Sequence, residues 1–265
     1  EKTFDSYWQS DDFELFDESI HKEKLVASLK QGKFSKITDI NYSLFEVKPY
    51  PFQLEILEKL DVERFVHGRN RNLVVAATGT GKTVISAFDY KRFKQNNKTS
   101  KFLFLAHRRE ILEQSMATYR GILRDNNFGE LWGGGVEPSN YEFVFASVQT
   151  LNNRIDTLNL SAEFFDYIVI DECHHLKAKS YRKTINYFKP KILLGLTATP
   201  ERMDGGDIRE DFHNRIAAEI RLPEAMKRKL LCPFQYFGIT ESTDLSRVRW
   251  DRGKYVKSEL TKLYT

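Results

Sequence analysis

Asn72-Leu73-Val74-Val75-Ala76-Ala77, then Thr78-Gly79-Thr80-Gly81-Lys82-Thr83, then a helical pattern from Val84 to Lys94: this stretch decides the fold. The first run is short and apolar on both faces, as a strand of a covered parallel sheet is. Glycines set between a strand and a helix let backbone N–H groups wrap a phosphate at the positive helix end. Lys82 then stands ready to neutralise β- and γ-phosphates, and the Thr83 hydroxyl to ligate Mg²⁺. Thr78, Gly79, Thr80, Gly81, Lys82 and Thr83 are therefore the expected nucleotide cradle. Ala76 stands where the general phosphate-loop pattern has glycine.

Working outward, four more short apolar runs repeat the theme: Lys101–Ala106, Tyr141–Ser147, Phe165–Ile170 and Lys191–Thr197. Helical patterns such as Arg109–Leu123 lie between them. Strands alternating with helices predict βαβ units and an α/β fold on a mostly parallel sheet.

The run Phe165–Ile170 delivers Asp171-Glu172-Cys173-His174-His175 at its C-terminal end. Ligands of open α/β sheets bind at that end of the strands. An aspartate there holds Mg²⁺ largely through water. The adjacent glutamate accepts a proton from the water attacking a γ-phosphate. Elsewhere two neighbouring acids would be ordinary solvated residues; 89 positions after Lys82, at the end of a buried strand, they complete an ATPase site. Cys173, His174 and His175 lack a fourth zinc ligand, and consecutive histidines diverge.

At 265 residues, with 41% hydrophobic and 29% charged residues, the chain has the balance of a soluble globular protein. No apolar run nears the ~18 residues of a membrane span, so no membrane partner is expected. Residues 1–23 hold eight acids against two lysines and no apolar stretch, unlike a signal peptide. Two cysteines make no disulfide framework, and the expected location is cytoplasmic. Residues 227–265 carry nine Lys/Arg against four acids, a solvated linker or a contact with phosphates. Three segments are expected: an acidic, helical extension at 1–45 with a helix near Ile20–Gln31, an ATP-binding lobe at 46–235, and a basic, irregular connection at 236–265.

In order along the chain, these residues resemble superfamily 2 helicases of the DExH type over roughly residues 46–235. The resemblance implies a three-layer RecA-like P-loop NTPase fold. Ala77–Thr83 looks like motif I, in a form that suits the Ala76 departure. Asp171-Glu172-Cys173-His174 looks like motif II. Thr197-Ala198-Thr199-Pro200 looks like motif III, which with His174 implies coupling of nucleotide state to nucleic-acid binding. Leu105-Ala106-His107-Arg108 and Ser147-Val148-Gln149-Thr150 are similar to motifs Ia and Ib, which implies contacts of His107, Arg108, Ser147, Gln149 and Thr150 with a nucleic-acid backbone. Gln53, in Pro49-Tyr50-Pro51-Phe52-Gln53, is similar to the glutamine that reads adenine, although Tyr50 replaces the usual arginine and Phe52 the tyrosine. Thr199-Pro200-Glu201-Arg202-Met203-Asp204-Gly205 looks like the XPB and type III restriction-motor branch. More narrowly, the chain is similar to bacterial helicases with a phospholipase D-like nuclease ahead of the motor.

The expected activity is that of an ATP-dependent helicase or translocase using ATP and Mg²⁺ on a nucleic-acid strand, DNA before RNA. Lys82, Asp171 and Glu172 are its expected catalytic residues, with Thr83 and Asp171 on the metal. A second RecA-like lobe is the expected partner, and the 265 residues alone are expected to be nearly inactive. Unwinding and pure translocation both fit. Two other readings stand beside this one: an ATP-gated binding or scaffold module without turnover, and a P-loop NTPase with no nucleic-acid role.

Overall fold

A computed structural model describes residues 47–175, 179–200 and 207–232, and nearer the C-terminus 248–251, 254–256, 258–259 and 261. The extension at 1–45, with its expected helix, lies outside the described residues, as do Glu201–Gly205 and much of 236–265. The chain divides into two compact units, Glu1–Leu231 and Cys232–Thr265.

In the first unit, Pro51 opens α1 (Pro51–Asp61) with a φ already suited to a first helical residue. The helix runs into a π-helical stretch, Val62–Val66. There follow β1 (Arg71–Ala76), α2 (Lys82–Asn96), β2 (Phe102–Ala106), α3 (Arg109–Leu123), β3 (Glu130–Trp132), β4 (Phe143–Ser147) and α4 (Val148–Arg154). Next come β5 (Tyr167–Ile170), a 3₁₀ turn at Cys173–His175, α5 (Lys179–Tyr187), β6 (Ile192–Thr197), a 3₁₀ turn at Ile208–Asp211, β7 (Ala218–Ile220) and α6 (Leu222–Lys227).

The strands form a seven-stranded sheet in the order β3-β4-β2-β5-β6-β1-β7, every neighbouring pair parallel. Successive side chains of a strand point to opposite faces, and both faces are covered. Val74, Ala76, Phe102, Phe104, Val169 and Leu194 pack with residues of α1, α2 and α3. Leu73, Val75, Leu103, Leu105, Ile168 and Leu193 pack with residues of α4 and α5. This is the three-layer α/β fold expected, and double burial explains why the strands read as unbroken apolar runs.

All five expected strands form, each within two residues of its expected start. The strands β3 and β7 were not expected; at three residues each, on the two sheet edges, they are too short to show a run. In the second unit, β8 (Trp250–Asp251) and β9 (Lys254–Tyr255) pair antiparallel. The expected basic, irregular connection holds this short ribbon among its described residues; two residues per strand leave no periodicity to read.

Candidate nucleotide and nucleic-acid site

Register brings the functional ends of the strands level. Val75 pairs with Thr197, Gly195 with Ile170, Leu105 with Ile170, and Ala106 with Ser147. Along the C-terminal edge of the sheet the order is therefore Ser147 on β4, His107-Arg108 after β2, Asp171-Glu172 after β5, Thr197 on β6 and the glycine loop after β1. Neighbouring strands lie ~4.8 Å apart. The carboxylates thus stand one strand from Arg108 and two strands from the loop.

The glycine loop is shaped by backbone that other residues avoid. Gly79 and Gly81 have φ of 88° and 80°, the left-handed region that favours glycine. A Cβ on Gly81 would lie 2.9 Å from Gln53 Nε2. Lys82 begins α2, and its Nζ donates to Ala76 O at 3.2 Å, at the mouth of the loop. Thr83 is half-buried beside it, and Thr78 is exposed. Thr80 turns inward: its hydroxyl donates to Ala77 O at 2.7 Å, so its side chain braces the loop.

Gln53 is only 3% exposed. Its Oε1 accepts the Tyr50 N–H at 3.0 Å and its Nε2 donates to Thr80 O at 3.3 Å. The residue expected to read adenine is thus also a strut between the start of α1 and the loop.

Asp171 is 7% exposed. Burial, then the neighbouring Glu172 charge, push its carboxyl up to about 6, against a smaller opposing pull from the Glu172 N–H and Lys82. A cation would offset that push, and the Asp171 carboxylate and Thr83 hydroxyl are oxygen donors of the kind Mg²⁺ prefers. The raised value carries a cost. The metal-free fold holds this proton more tightly than the unfolded chain, so ionised Asp171 destabilises the lobe increasingly as pH rises from 3.8 through about 6. Asp171→Asn should therefore stabilise the metal-free lobe at pH 8, by at most ~3 kcal/mol, and do almost nothing near pH 4. Urea melts of both proteins at the two pH values check this; an equal difference at both would refute it.

Glu172 adopts a left-handed φ of 50°, which turns the chain sharply out of β5. Its Oε2 lies 3.2 Å from His174 Nδ1, and that nitrogen lies 3.2 Å from Thr197 Oγ1. Thr197 gives its one hydroxyl proton to Thr199 O at 3.0 Å and accepts the Thr199 N–H at 3.2 Å. It can only accept from His174, so His174 carries its proton on Nδ1, shared between Thr197 and Glu172. One continuous chain of contacts thus joins the carboxylate turn to Thr199.

On the other half of the edge, Arg108 is exposed at the start of α3, and no carboxylate among the described residues pairs with it. A cation there is unfavourable to the helix. Arg109, exposed too, is compensated within the helix by Glu113 at 2.8 Å, so only Arg108 still calls for an outside anion. His107 is half-buried and Gln149 exposed. Ser147 accepts the Thr150 N–H at 3.1 Å and donates to Thr150 Oγ1 at 2.7 Å; both hydroxyls serve as the cap of α4. Sequence reading missed Gly133-Gly134-Gly135. A Cβ on Gly133 would lie 3.3 Å from Ser147 Oγ, and one on Gly134 3.1 Å from Arg109 Nη1. Three successive glycines after an apolar residue were the available signal for this backbone-rich turn beside Ser147.

Sequence similarity to known proteins covers this whole edge. The family described as type III restriction enzyme, res subunit, matches residues 46–202. The type I restriction enzyme EcoAI endonuclease subunit of Escherichia coli is 29% identical over 261 residues, 92% of this chain and 31% of that protein. A Saccharomyces cerevisiae protein with the provisional name ATP-dependent helicase IRC3 is 30% identical over 208 residues, 74% of this chain and 30% of that one. A nuclease-deletion mutant of the Type ISP restriction-modification enzyme LlaGI, solved with a DNA substrate mimic, has the same fold. It aligns with a TM-score of 0.54 and 18% identity over 69% of this chain and 21% of its own. The chain thus spans about a third of the length of its curated relatives. With a match that takes in the glycine loop, the carboxylate turn and Thr197, this chain belongs to the type III restriction enzyme res-subunit family of helicase and restriction-motor ATPase-like domains.

Proposed function

We propose that this chain is the ATP-binding lobe of an ATP-driven nucleic-acid translocase or helicase, acting on DNA before RNA. The observation that carries this is the order along one sheet edge: glycine loop, Thr197, Asp171-Glu172, Arg108, Ser147. Lys82 holds the β- and γ-phosphates, and Thr83 with Asp171 holds Mg²⁺, which supplies charge neutralisation at the phosphates. Glu172 orients the attacking water and takes its proton. His174, Thr197 and Thr199 carry the change at Glu172 across β6, and Arg108, Gln149 and the glycine turn follow a strand through its phosphates. The DNA substrate mimic in the LlaGI structure favours DNA. A second RecA-like lobe of a longer protein supplies the arginines that complete the site. ATPase activity of the full-length protein with single- and double-stranded DNA and RNA is the test. Hydrolysis indifferent to all four would refute the translocase reading and leave a P-loop NTPase with no nucleic-acid role.

Arg108→Ala should lower strand affinity about equally for every sequence. Its plot of log affinity against log salt should be shallower by ~1, because one phosphate contact fewer releases counterions. Binding titrations at several salt concentrations measure this. A loss confined to particular sequences would mean that Arg108 reads bases.

A further inference from the structure

Immediately after the carboxylate turn, α5 grips two other elements with consecutive residues. Arg182 Nη1 donates to Asp211 Oδ1 at 2.6 Å, in the 3₁₀ turn Ile208–Asp211 downstream of Thr197. Lys183 pairs with Asp156 and donates from Nζ to Asn152 O at 3.4 Å, at the far end of the helix that Ser147 caps. Beside Asp211, Ile208 and Phe212 are buried with Cys173, Tyr181 and Ile185. Gly195 makes room for this: a Cβ there would lie 2.4 Å from the Phe212 ring and 3.1 Å from Cys173 Sγ. Consecutive residues of the carboxylate turn thus reach both elements: His174 meets Thr197, and Cys173 is buried in the cluster that holds Ile208 and Phe212.

The Arg182–Asp211 contact is also incomplete. Asp211 is 10% exposed at its side chain, yet its Oδ2 is buried without a hydrogen-bond partner, and so is Thr184 Oγ1 on the same α5. Arginine and carboxylate favour two parallel bonds, and Arg182 makes one of them. A small shift of α5 that completes the pair would give this interface a second arrangement, which a coupling element needs.

We propose that α5 transmits the nucleotide state from the carboxylate turn to both α4 and the 3₁₀ turn Ile208–Asp211, with Arg182 and Asp211 as positioning residues. This rests on the translocase reading above. The test compares Arg182→Ala, Arg182→Lys and Asp211→Asn in the full-length protein, measuring ATPase with and without single-stranded DNA, and melting temperature. ATPase without DNA should stay within about twofold, even where stranding one partner of the pair lowers the melting temperature. Stimulation by DNA should fall about tenfold in Arg182→Ala and Asp211→Asn, within the span of measured coupling, and recover in part in Arg182→Lys. If Asp211→Asn fails to fold, Arg182→Ala reads the same contact from a side chain 32% exposed. Undiminished stimulation in Arg182→Ala, with the wild type stimulated, would overturn the coupling role alone. Parallel loss of both rates with a lowered melting temperature would reduce the pair to a structural contact and overturn it too. A wild type that DNA does not stimulate would overturn the translocase reading, and this inference with it.

Discussion

Glu172→Gln in the full-length protein is expected to lower ATP turnover by about 10²–10⁴ while ATP affinity stays near the wild-type value. The amide keeps the size of the side chain, and its oxygen still accepts from His174 Nδ1, now 3.2 Å from Glu172 Oε2. The left-handed turn at residue 172 and the chain of contacts through Thr197 to Thr199 therefore persist. Only the ability to take a proton is removed. Lys82→Ala makes the complementary loss: the cradle keeps its glycines, but the phosphates lose their principal counter-charge, so binding itself weakens. Nucleotide titration and single-turnover hydrolysis on the two variants separate these effects. Near-normal turnover in Glu172→Gln would assign the base to another group.

Which parts of this architecture were open to sequence reading follows from how each part is built. Strands buried on both faces must be apolar throughout, so β1, β2, β4, β5 and β6 stand out against polar helices. The cradle was legible because the left-handed backbone at Gly79 and Gly81 favours glycine, and Asp171-Glu172 because it follows a buried strand. Contacts distant in sequence were not legible. Nothing at Gln53 announces that it braces Thr80, 27 positions on. Nor does Asp211 advertise Arg182, 29 positions earlier. The strand order is similarly hidden: β6 lies between β1 and β5, and that insertion alone puts Thr197 between the loop and the carboxylates. The sequence lists its strands without their neighbours.

The largest effect on stability is expected far from the chemistry, at Asp89 on α2. Its carboxylate accepts two bonds from Arg64, Nη1 to Oδ1 and Nη2 to Oδ2, each 2.7 Å, and a third from the Tyr167 hydroxyl. Arg64 Nε donates to Asn72 Oδ1 at 2.7 Å. Side-chain exposures of 8% for Arg64 and 1% for Asp89 put this pair well away from water. Burial opposes the Arg64 charge, but Asp89 and Tyr167 outweigh it and hold the guanidinium pKa above its ordinary value. The network ties the π-helical stretch, the helix that starts at Lys82 and the strand that leads into Asp171 into one body. Asp89→Ala leaves a buried cation without its partner, a loss of ~3–5 kcal/mol from a total stability of order 5–15. Asp61→Ala removes the partner of Arg92 in a pair 37% exposed on both sides, where water compensates and the cost should be ~0–1 kcal/mol. Replacing Arg64 and Asp89 together, by Met and Leu, should restore only part of the loss: no charge is then stranded, but the Tyr167 hydroxyl and Asn72 Oδ1 lose their partners. Urea melts of the four proteins decide the matter. An Asp89→Ala protein within ~1 kcal/mol of the wild type would mean that water reaches Arg64 and that the pair does not bind the lobe together.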